Sequence, residues 1–220
     1  MATDTIAAFI RDLRRLDWPD TANPYRAEGS AGEAADRRAA HLRIYLEAFE
    51  ERGCNVMLVA EAFGYRGGRV TGVPLTSERI IRHSGRFRKE FPALADAYAA
   101  CCESGAPLGE ATASIVWKLL EGVAVGQAPL CWNVVPVHPH SPDTGIWSNR
   151  PPRRSEVLGG APFAKRLIEL FRPETVVAVG RHAERGLMEC GVAAIAVRHP
   201  SNGGARQFTE QVQAVLERYA

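Results

Sequence analysis

Lysine is almost missing from this chain. Lys89, Lys118 and Lys165 are its only three, so 24 of the 27 basic residues are arginine. Such a bias fits a GC-rich coding sequence. It also fits phosphate binding, because a planar guanidinium makes paired hydrogen bonds to phosphate oxygens. Net charge is equally scarce: 27 basic against 25 acidic residues leave +2, so no uniform field draws the molecule to a polyanion. The five cysteines, Cys54, Cys101, Cys102, Cys131 and Cys190, contain no CxxC pair. Their spacing fits neither a zinc ribbon nor a disulfide framework, and reduced thiols are expected. Met1 to Ile10 carries Asp4 and lacks a basic leader with an apolar core, so no signal peptide is expected. The longest uncharged stretch, Gly122 to Pro142, is broken by Pro129, Pro136 and Pro139, which excludes a membrane helix. GKS/GKT, GxGxxG and GxSxG are all absent. Nucleotide hydrolysis on a P-loop, dinucleotide binding and a serine-hydrolase elbow lose their main support.

What is present is the pattern of a globular α/β protein. With 220 residues, 46% hydrophobic and 24% charged, one domain over residues 1–220 is expected. Four apolar runs rich in β-branched residues stand out: Asn55–Ala60, Leu130–Val135, Thr175–Val179 and Ala193–Val197. None alternates polar with apolar, so each reads as a strand buried on both faces of a parallel sheet. Between them, helical patterns cover Ala34–Glu51, Glu110–Leu120, Pro162–Phe171, Arg181–Cys190 and Gln207–Tyr219, whereas Ser141–Gly160 reads as a long Pro-rich loop. The alternation predicts a three-layer α/β/α sandwich on a central four-stranded parallel sheet. Ligands in such folds bind beyond the carboxyl ends of the strands. Polar or glycine-rich segments follow three of the strands there: Glu61–Gly68, His138–His140 and Arg198–Gly204.

Several residues in those segments carry chemistry. Glu61, at a strand end, serves either as a capping carboxylate or as the group that positions a water. Asn133 lies within an apolar strand, where an amide without partners costs about 1–3 kcal/mol. It is either satisfied internally or aimed into the crevice, where it can read a base edge. His199 follows the last strand. His138 and His140 form an H-x-H pair, but only Asp143 lies nearby to add a ligand, so no metal is expected. Arg79, Arg82 and Arg86 fall on one face if a single helix persists through Gly85. They form either a solvated surface or a grip on a phosphate backbone.

Taken in order, six segments form a pattern: Ala60-Glu61-Ala62-Phe63-Gly64, Gly72-Val73-Pro74-Leu75, Asn133-Val134-Val135, Asn149-Arg150-Pro151, Val179-Gly180-Arg181-His182-Ala183 and His199-Pro200-Ser201. From about residue 54 to 206 the chain resembles the uracil-DNA glycosylase superfamily, most closely its bacterial branches with a G-E-A-P-G first motif. The resemblance implies a monofunctional enzyme that acts on DNA in the bacterial cytoplasm, as a monomer. It flips deoxyuridine out of DNA and releases uracil, leaving an abasic site. Asn133 then binds the uracil edge, His199 supports the departing base and Glu61 orients water. Ala62, Phe63, Tyr65 and Leu75 surround the base, while Ser201, Asn202, Gly203 and Arg206, with Arg82 and Arg86, meet the DNA. Departures are visible too. The iron–sulfur cysteines of the nearest branch are missing, so no cofactor is expected. Leu75 stands where relatives stack a phenylalanine on the base, and Ala62 where the best-known branch has a water-positioning aspartate. Asn202-Gly203-Gly204 offers no leucine wedge, which leaves Arg206 as the nearest candidate. The alternatives are a glycosylase for another damaged or mismatched base, a non-catalytic uracil-DNA-binding domain, and a metal hydrolase using His138 and His140.

Overall fold

The four apolar runs become one parallel sheet. A computed structural model describes residues 2–27, 32–101 and 106–219; Cys102 lies outside them. The sheet contains β2 (Val56–Ala62), β3 (Leu130–Val135), β5 (Thr175–Val179) and β6 (Ile195–Val197), in the spatial order β3-β2-β5-β6. Leu58 pairs with Cys131 on one side and Val177 on the other, and Val177 pairs in turn with Ile195. β2 and β3 bury nearly every side chain, as continuous apolar runs require. β6 does not. It lies at the sheet edge and buries only Val197, so full burial of Ala193–Val197 is corrected: a strand with one neighbour need not be covered on both faces. The opposite edge is blunted by Tyr45, whose hydroxyl accepts from the Cys131 N–H at 2.7 Å and donates to the Cys131 carbonyl at 3.2 Å.

Helices α1 (Ala2–Leu13), α8 (Arg154–Phe171) and α9 (Arg181–Glu189) meet the sheet face that carries Trp132 and Val134. Helices α2 (Gly32–Arg52), α6 (Pro92–Cys101), α7 (Ala111–Leu120) and α10 (Ala205–Leu216) complete the sandwich. A short antiparallel pair, β1 (Thr21–Ala22) with β4 (His138–Pro139), ties the N-terminal region to the segment after β3.

Helix α8 begins well before the expected Pro162 and absorbs part of the supposed loop. Gly159, Gly160 and Pro162 read as punctuation in sequence. In space, a Cβ on Gly160 would stand 2.1 Å from the Val134 carbonyl oxygen. The glycine is there so that helix and strand backbones can touch. Glu156 starts the helix by accepting from the Arg153 N–H at 2.7 Å and pairing with both terminal nitrogens of Arg150.

The single basic face over Arg79, Arg82 and Arg86 is also corrected. Ser84 is extended and ends α4 (Glu78–His83), and its hydroxyl accepts from the Phe87 N–H to start α5 (Gly85–Glu90). Arg82 stays exposed. Arg86 turns inward to the fully buried Glu90 at 3.0 Å and to the Ala124 carbonyl. Glu90 also pairs with Arg52, so this cluster is a buried ion network holding α2 to α5.

Candidate active site

The chain leaves β2 toward β3 on one side, then crosses back to lay β5 on the other. The strand order reverses between β2 and β5, where such sheets open a crevice. A cavity of about 930 Å³ occupies that place, lined by the carboxyl ends of β2, β5 and β6, by Asn133 of β3 and by the loops that follow. Of the expected site residues, it brings together Glu61, Ala62, Phe63, Leu75, Asn133, His199, Ser201 and Asn202. Tyr65, Arg82, Arg86, Gly203 and Arg206 are not part of its wall. Arg206 sits on the outer face of α10, paired with Glu210.

Gly180 is the pivot of this wall. It ends β5 with φ 86°, and a Cβ there would stand 2.5 Å from Glu61 Oε1 and 3.2 Å from the His199 Cβ. Only a residue without a side chain lets the Glu61 carboxylate and the His199 side chain approach the same point.

The His199 tautomer follows from its neighbours. Nδ1 accepts from the Ser201 N–H at 3.1 Å and lies 2.7 Å from Ser201 Oγ. A nitrogen that accepts cannot carry the proton, so the neutral ring presents Nε2–H. Burial lowers the His199 pKa, opposed by the charges of Glu61 and Glu110 and reinforced by Arg198 and His182. The donor is thus an imidazole whose neutral form burial favours.

Asn133 is 2% exposed. Its Nδ2 donates to the Ala62 carbonyl at 3.0 Å, and because a carbonyl only accepts, that contact fixes the amide orientation. Oδ1 is buried with no partner. An unmet acceptor in a cavity wall costs about 1–3 kcal/mol, and it has no use in the protein alone. Leu75 carries a second cost, since φ 49° is left-handed and holding a non-glycine residue there costs about 1–3 kcal/mol. The Trp117 indole N–H, donating to the Leu75 carbonyl at 3.0 Å, maintains it.

The sequence reading missed Glu110 and Thr76 and gave no role to Arg181, His182 and Arg198, all on the cavity wall. Glu110 caps α7 by accepting from the Thr112 and Ala113 N–H groups at 3.0 and 2.6 Å. Its acidic position before a helix was visible; its closeness to His199 was not.

His138 behaves differently from the metal reading. Nδ1 faces the Phe63 carbonyl at 2.9 Å and Nε2 faces the Ile146 carbonyl at 3.2 Å, so neither nitrogen is open to a ligand. Among the described residues no three His, Cys, Asp or Glu side chains gather as a metal set. Burial pushes the His138 pKa down to about 4. A group depressed in the folded state stabilises the fold above the unfolded pKa of about 6.5, and that stability is lost as pH falls from there toward 4. Wild type is expected to lose up to about 3 kcal/mol more over this interval than His138→Gln in urea titrations. Parallel pH profiles for the two would remove His138 from the account.

A family profile described as the Uracil DNA glycosylase superfamily matches residues 49–219. The chain belongs to that superfamily. Among solved structures, its fold is similar to the crystal structure of wild-type SMUG2 from Pedobacter heparinus, with a TM-score of 0.64, 11% identity and 97% of each chain covered. No curated protein matches the sequence. Membership makes the chain a DNA glycosylase by family, with DNA as its substrate. No helix among the described residues is long and apolar enough to cross a membrane.

Proposed function

We propose that this glycosylase is specific for uracil: it flips deoxyuridine from DNA into the 930 Å³ cavity and hydrolyses the N-glycosidic bond, leaving an abasic site. The observation that carries the reading is the buried, unpartnered Asn133 Oδ1. Uracil presents an N3–H donor beside an O4 acceptor. Oδ1 accepts from N3–H, while the second Nδ2 hydrogen donates to O4. Cytosine reverses both groups and leaves two buried conflicts. Extrusion costs a few kcal/mol, least where the base is mispaired or single-stranded.

In the reaction the C1′–N1 bond breaks and its electron pair leaves with the base. Negative charge grows on uracil O2, where His199 Nε2–H donates. Glu61, beside Gly180, orients a water whose oxygen bonds to C1′; one water proton passes to Glu61 and then to the departing uracil. Phe63 and Leu75 supply the apolar wall on the base. Ser201, Asn202 and Gly203 form the turn that faces the DNA, with Arg181 and Arg198 on the same rim as phosphate contacts. Arg82 is an outlying phosphate contact in this reading.

The test is a panel of oligonucleotides carrying single uracil, thymine, hypoxanthine, xanthine or cytosine residues, cleaved at abasic sites with alkali. Uracil DNA is expected to be cut at least 100-fold faster than any other. Faster release of another base would reassign the specificity, and tight binding of uracil DNA without release would make the protein a binding domain.

A further inference from the structure

We infer that Trp147 is a stacking platform for the nucleobase next to the extruded one, placed on the rim between the cavity and a single-stranded stretch of DNA. This rests on the glycosylase reading. Trp147 is 63% exposed and its neighbour Ile146 41%. Scattered apolar residues on a surface need no explanation, but these two sit on a loop built to hold them outward. Ser148 Oγ donates to the Gly145 carbonyl at 2.7 Å and accepts from the Ser141 N–H at 3.0 Å. The Ile146 carbonyl meets His138, and Asn149 accepts from the Tyr65 N–H at 3.1 Å while lining the cavity. The loop therefore joins the glycine segment to the cavity mouth as a fixed frame, and Trp147 loses little freedom when a ligand covers it.

The surroundings match a nucleic-acid strand. The Arg69 guanidinium lies 4.7 Å from the Trp147 ring centre, with Nε donating to the Tyr65 carbonyl at 3.0 Å. Arg66, exposed, lies over the Tyr65 ring at 5.1 Å. An indole with one guanidinium against it, near a second aromatic–arginine pair in the adjoining glycine segment, suits bases and phosphates in alternation. On the other side of the cavity, the turn Ser201-Asn202-Gly203-Gly204 holds no apolar side chain to fill the gap left by a flipped base. Trp147, two residues before the wall residue Asn149, is a large apolar side chain left in solvent.

The experiment measures binding of a non-cleavable abasic-analogue oligonucleotide, single-stranded and duplex, by wild type, Trp147→Ala, Trp147→Phe and Arg66→Ala. Base stacking on an aromatic ring predicts a roughly 5- to 150-fold loss of single-strand affinity for Trp147→Ala, largely restored in Trp147→Phe. The salt slope should stay constant in Trp147→Ala, because stacking releases no counterion, and fall by about one in Arg66→Ala. Equal affinity of wild type and Trp147→Ala, with wild type still releasing base from uracil DNA, would overturn the stacking inference alone. Wild type that neither binds the probe nor releases any base would overturn the glycosylase reading with it.

Discussion

Replacing His199 with alanine is expected to lower single-turnover release of uracil by roughly 10²- to 10³-fold, the range for removing one preorganised donor at a developing oxyanion. Three features of the site produce that expectation. Ser201 holds Nδ1 as an acceptor, so the proton stands on Nε2. Burial keeps the ring neutral, with its pKa below the usual value. Gly180 leaves the space in which His199 and Glu61 approach one another. The ring needs no reorganisation when charge appears, and that economy is the source of the rate effect. His199 is half-buried at the cavity wall, so the variant should fold and bind DNA normally while failing at the chemical step. Uracil release at the wild-type rate would remove His199 from the mechanism.

Asn133→Asp is expected to cut uracil excision by roughly 10²-fold or more and to narrow the preference for uracil over cytosine. Each hydrogen bond lost in a buried polar site, with its partner left unmet, is worth about 1–3 kcal/mol, and the substitution disturbs two. The amide that donates to the Ala62 carbonyl and to uracil O4 is gone. In its place stands a second oxygen, which repels O4 and accepts from the cytosine amino group. The comparison to make is the ratio of uracil to cytosine excision in both proteins on the same single-stranded oligonucleotide. An unchanged ratio would sink the readout role, even if both rates fell.

Much of the scaffold was legible because its signals are local. Leu130–Val135 and Thr175–Val179 are strands at the expected bounds, since buried parallel strands are apolar at nearly every position. Helices α7 and α9 likewise fall within a residue of the expected bounds, because their patterns are read from neighbours in the chain. The misreadings share one cause. Gly159 and Gly160 look like a loop until β3 stands beside them, and Arg86 looks like a solvated cation until Glu90 is buried at its tip. In the first the deciding partner is β3, and in the second it is Arg52 of α2, which pairs with the same Glu90.

The near balance of charge told of no partner, yet the apolar runs by themselves determined the strand set, and the order of the motifs pointed to the superfamily and most of the crevice residues. Only the tertiary structure decided what those residues do to one another: that Asn133 keeps one acceptor unmet, that His199 offers Nε2–H, that Glu110 closes the wall, and that Trp147 is left in solvent. Periodicity and caps are properties of neighbours in the chain. Desolvation, hydrogen-bond completion and steric room are properties of neighbours in space, and 72 residues separate Glu61 from Asn133 while 138 separate it from His199.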